Sequence, residues 1–393
     1  MRLLHLIRTV HPSFGGPVEG ILRQAFDLPR SHVHEIACLD PADAQWLVDF
    51  PLPVHAGGPA SGSKRSGGRY GWSWAFVGWL RENCWRYDAI IVNGLWNFTT
   101  LGFVLAGRGR GTPYVVFTHG MLDPWFKATY PLKNMLKQLF WLFADGVVVN
   151  RASAVLFTSE EERRLARGAF RPYRARERVV AYGSGDAPDG APAQLAAFRS
   201  VVPGLGERRY LLFLSRIHPK KGADLLIGAF ARVAADEPGL DLVIAGPDQV
   251  GLRDTLHRQA DRLGLSGRVH WPGMLQGDAK WGAFRGAEAF VLPSHQENFG
   301  IAVAEAMAAG TPVLISNKVN IWREVEAAGA GLVEEDSVEG IHRLLSGFLA
   351  LAPDERRQMS KAARSAYERH FSADNGAREL IAVLEDVIRE KAG

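Results

Sequence analysis

The chain has 393 residues, 47% of them hydrophobic and 22% charged, with a formal net charge of +4. That length holds two or three domains with full cores, and that balance excludes a disordered or fibrous chain. Two cysteines, Cys38 and Cys84, make neither a disulfide framework nor a metal-ligand spacing, so a reducing, cytoplasmic compartment is expected. The opening MRLLHLIRTVHP reads as a strand rather than a secretory leader, and no apolar run approaches the roughly 20 residues of a membrane span. Charge is uneven. Lys and Arg outnumber Asp and Glu by 22 to 16 over residues 1–190, against 24 to 26 over the rest, and the first part holds most of the tryptophans. An anionic surface or acceptor is therefore expected at the first half only.

Leu3–Ile7 is an apolar strand that ends at His11-Pro12-Ser13-Phe14-Gly15-Gly16-Pro17, with a helix expected from about Val18 to Leu28. Gly15 and Gly16 admit two readings: a tight turn, or a loop whose N–H groups approach a phosphate. The spacing is not the G-x-G-x-x-G dinucleotide fingerprint. Val33–Leu39 is a second strand. Residues 56–71 hold six glycines with Lys64 and Arg65, and read as a loop. Trp72, Trp74, Phe76, Trp79 and Trp85 then crowd one segment, either an indole-filled core or a patch for a membrane interface. Ala89–Val92 and Tyr114–Phe117 are strands, the second running into Thr118-His119-Gly120. A histidine there stands at the carboxyl end of a parallel strand, where such sheets bind ligands, although a lone histidine is commonly structural. In residues 126–143, Lys127, Lys133 and Lys137 alternate with Leu132, Leu136, Phe140 and Trp141 at helical spacing. The ordinary reading packs that greasy side on the domain core; the alternative lays it on anionic headgroups. Val155–Thr158 is the last clear strand of this half, and the glycine- and proline-rich residues 183–194 read as a linker.

Tyr210–Leu214 opens a second run of alternating strands and helices and delivers Ser215-Arg216-Ile217-His218-Pro219-Lys220-Lys221-Gly222. An arginine and a lysine five positions apart on a strand-to-helix loop can clamp a diphosphate, the guanidinium through two bonds and the ammonium as a point charge. Leu242–Ala245 and Val269–Gly273 follow as strands. Phe290–Leu292, the loop His295–Asn298, the helix Ile301–Ala309 and the strand Val313–Ile315 repeat the unit. Two acids break its apolar pattern. Glu305 has Ile301, Ala302, Ala308 and Ala309 as its helical neighbours, with no cation in reach along the helix, so a partner outside the helix is expected, a polyhydroxylated ligand being the natural candidate and a solvated surface acid the plain alternative. Glu297 precedes the helix beside Asn298, a candidate N-cap, and the first-turn N–H groups near Phe299 and Gly300 lie between the acids. A rise of about 1.5 Å per residue separates them by roughly 10 Å, about the span from ribose to hexose in a nucleotide sugar.

The run E-N-F-G-I-A-V-A-E, with seven residues between the acids, resembles the signature of retaining glycosyltransferase family four, whose fold is GT-B. The resemblance extends through the glycine pair, His119, and S-R-x-x-x-x-K-G at 215–222, in the family's order. The stretch H-G-M-L-D-P-W (119–125) looks like the subgroup acting in bacterial surface-polysaccharide assembly. The resemblance implies an α/β architecture of two facing doubly wound, Rossmann-like domains: residues 1–190 on the acceptor side, residues 191–372 binding the nucleotide sugar, and a final helix, 373–393, crossing back to the first. It implies catalytic roles for His119, Arg216, Lys221 and Glu297, donor binding by Gly15, Gly16, Asn298, Phe299, Gly300 and Glu305, and acceptor contacts from Asp123 and Trp125. No metal and no cofactor beyond a UDP- or GDP-sugar co-substrate are expected.

The function implied is transfer of a hexose, with retention, onto a lipid-linked or oligosaccharide acceptor in exopolysaccharide or lipopolysaccharide assembly, peripherally on the inner face of the cytoplasmic membrane. A nucleotide-sugar epimerase or hydrolase, and a non-catalytic sugar-nucleotide-binding protein, are the alternatives. Sugar release or epimer formation without acceptor separates the first from a transferase, and any transfer removes the second. Nucleic acid is not expected as a partner, because the basic residues are dispersed among aromatic ones.

Overall fold

The computed structural model describes residues 1–26, 32–59, 70–125, 127 and 131–392; Lys64 and Arg65 lie outside the described residues. Two units are formed, Met1–Gly183 with Ala373–Gly393, and Ser184–Ser372.

The strands of the first unit are β1 (Arg2–Leu6), β2 (Val33–Pro41), β3 (Val54–Gly58), β4 (Ala89–Asn93), β5 (Tyr114–Phe117), β6 (Ala154–Phe157) and β7 (Glu177–Val179). They pair in the order β3-β2-β1-β4-β5-β6-β7, every pair parallel. The second unit has β8 (Arg209–Leu214), β9 (Leu240–Ala245), β10 (Val269–Gly273), β11 (Ala289–Leu292), β12 (Val313–Ser316) and β13 (Gly331–Glu334), ordered β10-β9-β8-β11-β12-β13 and again parallel throughout. Both sheets reverse direction beside their first strand, the doubly wound arrangement that opens a crevice at the strands' carboxyl ends. Central strands such as β4, β9, β11 and β12 are buried along their whole length, as helices on both faces demand.

Four local readings change. The first helix, α1, runs Gly15–Phe26, so Gly15 and Gly16 are its opening residues and not part of the loop before it. A glycine tolerates the N-terminal turn, where its lack of side chain costs little. β3 occupies part of the segment expected to be loop, and β7 and β13 are strands too short for their pattern to stand out. The aromatic segment splits: in α2 (Trp74–Asn83), Phe76 is buried in the core, whereas Trp72, Trp74 and Trp85 are exposed. The helix α3 (Pro131–Phe140) has no buried residue, so of the greasy residues expected on the core Leu132, Leu136 and Phe140 are exposed, and Trp141, just past its end, is buried there.

In the second unit, α4 (Gly277–Gly286) and α5 (Ile301–Ala308) carry site residues. The chain's last helix, α6 (Ala373–Ala392), belongs to the first unit; it buries Leu380, Leu384 and Val387, and Glu379 accepts the N–H of Ala181 at 2.7 Å.

Candidate functional site

In the second unit the sheet reverses between β8 and β11, and the loops leaving these two strands hold the basic and acidic residues singled out above. After β8, Pro219–Lys221 forms one tight helical turn that ends on Gly222 in the left-handed region (φ 68°). A Cβ there would come within 2.2 Å of the Pro293 carbonyl, so the β8 loop can lie against the β11 loop only with glycine at this position. This close approach carries Lys221 to Glu297: the ammonium donates to the carboxylate, with Lys221 only 7% exposed. Glu297 is itself held on both sides, its N–H donating to the Lys318 carbonyl (2.9 Å) and its carbonyl accepting from Asn320 (3.0 Å). Arg216 leaves the same β8 loop in an exposed position and donates to Gln249 Oε1 at 3.2 Å. Lys220 reaches Gln296 at 3.4 Å.

Asn298 is not the cap of α5. That position is Gly300, at φ 76°, and the Asn298 amide oxygen accepts from Asn320 Nδ2 at 3.4 Å. Phe299 is a packing residue, 4% exposed, its ring 5.9 Å from that of Phe371. Glu305 has a partner that helical spacing along its own helix does not show. Lys280 of α4, 25 positions earlier, donates to its Oε1 at 2.8 Å, and the same ammonium lies 4.8 Å over the Trp281 ring. The rule that an apolar helix does not bury an unpaired carboxylate holds; the partner is protein.

In the first unit, His119 occupies the end of β5 in the left-handed region (φ 48°), uncommon for a residue with a side chain. What fixes it there is Glu162, which the sequence reading missed. This buried carboxylate accepts from Thr118 Oγ1 (2.6 Å) and Gly120 N (2.7 Å) on either side of His119, and from Thr158 N (2.7 Å) and Oγ1 (2.8 Å) at the end of β6. A signal was present: Ser159 stands three residues ahead of Glu162 and caps its N–H at 3.1 Å. The imidazole keeps part of its surface open, yet burial lowers its pKa to about 4, so it is neutral near pH 7. Its Nε2 meets Asn93 Oδ1 at 3.3 Å; the Asn93 amide nitrogen donates to Ile91 O (3.2 Å) and lies 3.5 Å from His5 Nδ1. Asn93 therefore presents its oxygen to His119, which makes Nε2 the protonated nitrogen and leaves the Nδ1 lone pair to accept from a ligand hydroxyl. Continuing along the row, His5 Nε2 meets His34 Nδ1 at 2.9 Å. The four polar residues cross four adjacent strand positions, β2, β1, β4 and the end of β5.

Tyr182, near the end of the first unit, joins two predicted features. Its hydroxyl donates to the Gly16 carbonyl at 2.7 Å, and its ring lies 5.7 Å from His119. Asp123 accepts the N–H of Trp125 at 2.8 Å, which makes the stretch after His119 a tight turn. Among the described residues, no group of three or more His, Cys, Asp or Glu is arranged to hold a metal ion, and no helix is long and apolar enough to cross a membrane.

Two doubly wound parallel-sheet units, one with cations and acids meeting at its switch point, define the GT-B class. Comparison with known proteins agrees. Residues 198–366 match the family of glycosyl transferases group 1, and residues 15–183 match the glycosyl transferase 4-like domain. The second unit thus carries a group 1 glycosyl transferase domain and the first a glycosyl transferase 4-like domain, each match covering less than half of the chain. A D-inositol 3-phosphate glycosyltransferase of Mycolicibacterium paratuberculosis is 31% identical over 247 residues, which cover 62% of this chain and 55% of that protein. An uncharacterized glycosyltransferase of Methanocaldococcus jannaschii is 31% identical over 195 residues, 48% of this chain and 47% of the other. The chain spans about half the length of the curated relatives it matches. Among solved structures, Anabaena Alr3699/HepE in complex with UDP and glucose superposes with a TM-score of 0.76 at 19% identity, over 98% of this chain and 100% of that one. At these identities the likeness shows the fold.

Proposed function

We propose that the chain transfers a hexose from a nucleoside-diphosphate sugar, UDP- or GDP-linked, to a lipid-linked or oligosaccharide acceptor with retention of configuration and without a metal ion. The observation that carries this reading is the meeting of Lys221 and Glu297 at the switch point, with Arg216 on the same loop. Arg216 and Lys221 neutralise the departing diphosphate, the work a divalent cation does in other phosphate sites. Glu297 accepts from hexose hydroxyls, Glu305 from the ribose, and the first turn of α5 faces the donor with its N–H groups. His119 accepts a sugar hydroxyl at Nδ1. Acceptor attack comes from the face the leaving group departs, a donor phosphate oxygen taking the acceptor's proton, so no side-chain nucleophile is required. The complexes of Alr3699/HepE with UDP and with UDP-glucose support a nucleotide-sugar donor. WaaG, a glycosyltransferase involved in lipopolysaccharide biosynthesis, shares the fold (TM-score 0.64, 17% identity, all of both chains). In our reading the acceptor belongs to surface-polysaccharide assembly, Asp123 and Trp125 lie on the acceptor side, and the enzyme works at the inner face of the cytoplasmic membrane.

The test is a panel of UDP- and GDP-sugars read by thermal shift, followed by product analysis of the stabilising donor with and without lipid-linked oligosaccharide. Acceptor-dependent transfer with the anomeric configuration kept is expected. Sugar release or epimer formation from donor alone overturns the reading.

A further inference from the structure

The exposed greasy side of α3 is linked, through rings below the surface, to a second exposed aromatic patch. Leu132, Met135, Leu136, Leu139 and Phe140, with Leu142 and Phe143 just beyond, are each between 43% and 76% exposed, although Trp141 is buried and packs on Phe170 at 5.3 Å. One aromatic thus anchors the element to the core while its aliphatic side stays in solvent. Ring contacts join the two beneath the surface, through the partly buried Tyr70 and the fully buried Phe98: Phe140 to Tyr70 (5.4 Å), Tyr70 to Phe98 (6.1 Å), Phe98 to Trp72 (4.8 Å), and Trp72 to Trp74 (5.5 Å), which is 61% exposed. An apolar surface this extensive is rare on a monomer without an occupant.

Charge identifies the occupant. Residues 131–144 contain Lys133 and Lys137 and no acid. The side chain of Gln138 bonds both the carbonyl (2.6 Å) and the N–H (3.2 Å) of Arg171, which ties that exposed arginine to the same helix, and Arg174 and Arg176, also exposed, follow it in the chain. Leucines and indoles bordered by cations match the layered chemistry of an anionic bilayer surface, acyl chains below and phosphates above. A second copy fits less well, because a self-complementary interface brings the same cations together.

We propose that α3 and the aromatic segment at residues 70–74 form one platform that seats the first unit on an anionic phospholipid bilayer. The proposal deepens the membrane side of the function above, and its test involves no sugar transfer, so the two fail separately. The full chain is sedimented with vesicles of phosphatidylcholine alone or with about one third phosphatidylglycerol, beside L136E/L139E and K133E/R174E. All four positions are exposed, and thermal unfolding checks that each variant folds. The parent should bind the anionic vesicles in a salt-sensitive manner. L136E/L139E should lower that binding about tenfold or more, and K133E/R174E should remove the preference for anionic lipid. A parent that stays in solution, or an L136E/L139E variant that sediments like it, overturns the proposal. So does a concentration-dependent dimer in the parent that L136E/L139E abolishes, which assigns the face to a second copy.

Discussion

Lys221 and Glu297 neutralise one another across the two loops that flank the reversal of the second sheet, so the lysine that meets a diphosphate in our reading is already committed to an acid. A binding diphosphate must share or take that ammonium, which gives the two partners opposite effects on nucleotide affinity. Lys221→Met should weaken UDP or GDP binding by about 10- to 100-fold, the worth of a charge-assisted contact, whereas Glu297→Gln should bind nucleotide at least as well as the parent. Transfer should fall about a hundredfold or more in both, and in Arg216→Met. Calorimetry with UDP or GDP, beside initial rates, separates the effects; equal losses of nucleotide affinity in K221M and E297Q would refute the shared ammonium.

Lys280→Met should leave the Glu305 carboxylate buried without its cation and cost about 3 kcal/mol of stability. Replacing both partners, K280M/E305Q, removes the unpaired charge and should recover most of that loss. Urea unfolding of the two single variants and the double variant measures the coupling; additive losses would show that the 2.8 Å contact contributes nothing.

Glu162→Gln exchanges an acceptor of four hydrogen bonds for a side chain with one accepting oxygen, so at least one donor at the ends of β5 and β6 loses its partner. A loss of about 2–4 kcal/mol is expected, with a lower kcat because His119 sits between two of those donors. Unchanged unfolding and unchanged kcat would remove Glu162 as the holder of the histidine.

The stacked pair His5–His34, 5.2 Å between ring centroids, gives the fold an acid limit. Burial depresses both pKa values, that of His34 to about 4, below the roughly 6.5 of an unfolded histidine. Between those values the unfolded chain binds more protons, so stability is complete above pH 6.5 and is lost as pH falls toward 4. The thermal midpoint should decline across that window, and His34→Gln should flatten the decline. The same slope in the variant would place the acid limit elsewhere.

The sequence made the strand-to-loop logic legible because it is local: an apolar run, then polar residues, then a helix. Arg216, Lys221, Glu297 and His119 could all be placed at strand ends on that basis. What stayed hidden was pairing between distant segments. Glu305 looks unpaired in the sequence because Lys280 lies on another helix, and nothing in the run Glu160–Glu162 marks its third acid as the one that turns inward. The start of α1 is hidden for a different reason: glycines signal a turn, whereas the helix already begins at Gly15. The greasy side of α3 had the pattern of a core-facing helix, and periodicity alone does not say whether such a stripe meets protein or solvent.

His119 is held from behind by Asn93 on β4, and its chain neighbours Thr118 and Gly120 by Glu162 in the helix that follows β6; none of these bonds comes from residues 123–125. The imidazole and the downstream segment are therefore separable parts. Substitutions at Asp123 and Trp125 can change what docks against the first unit while the histidine keeps its pose.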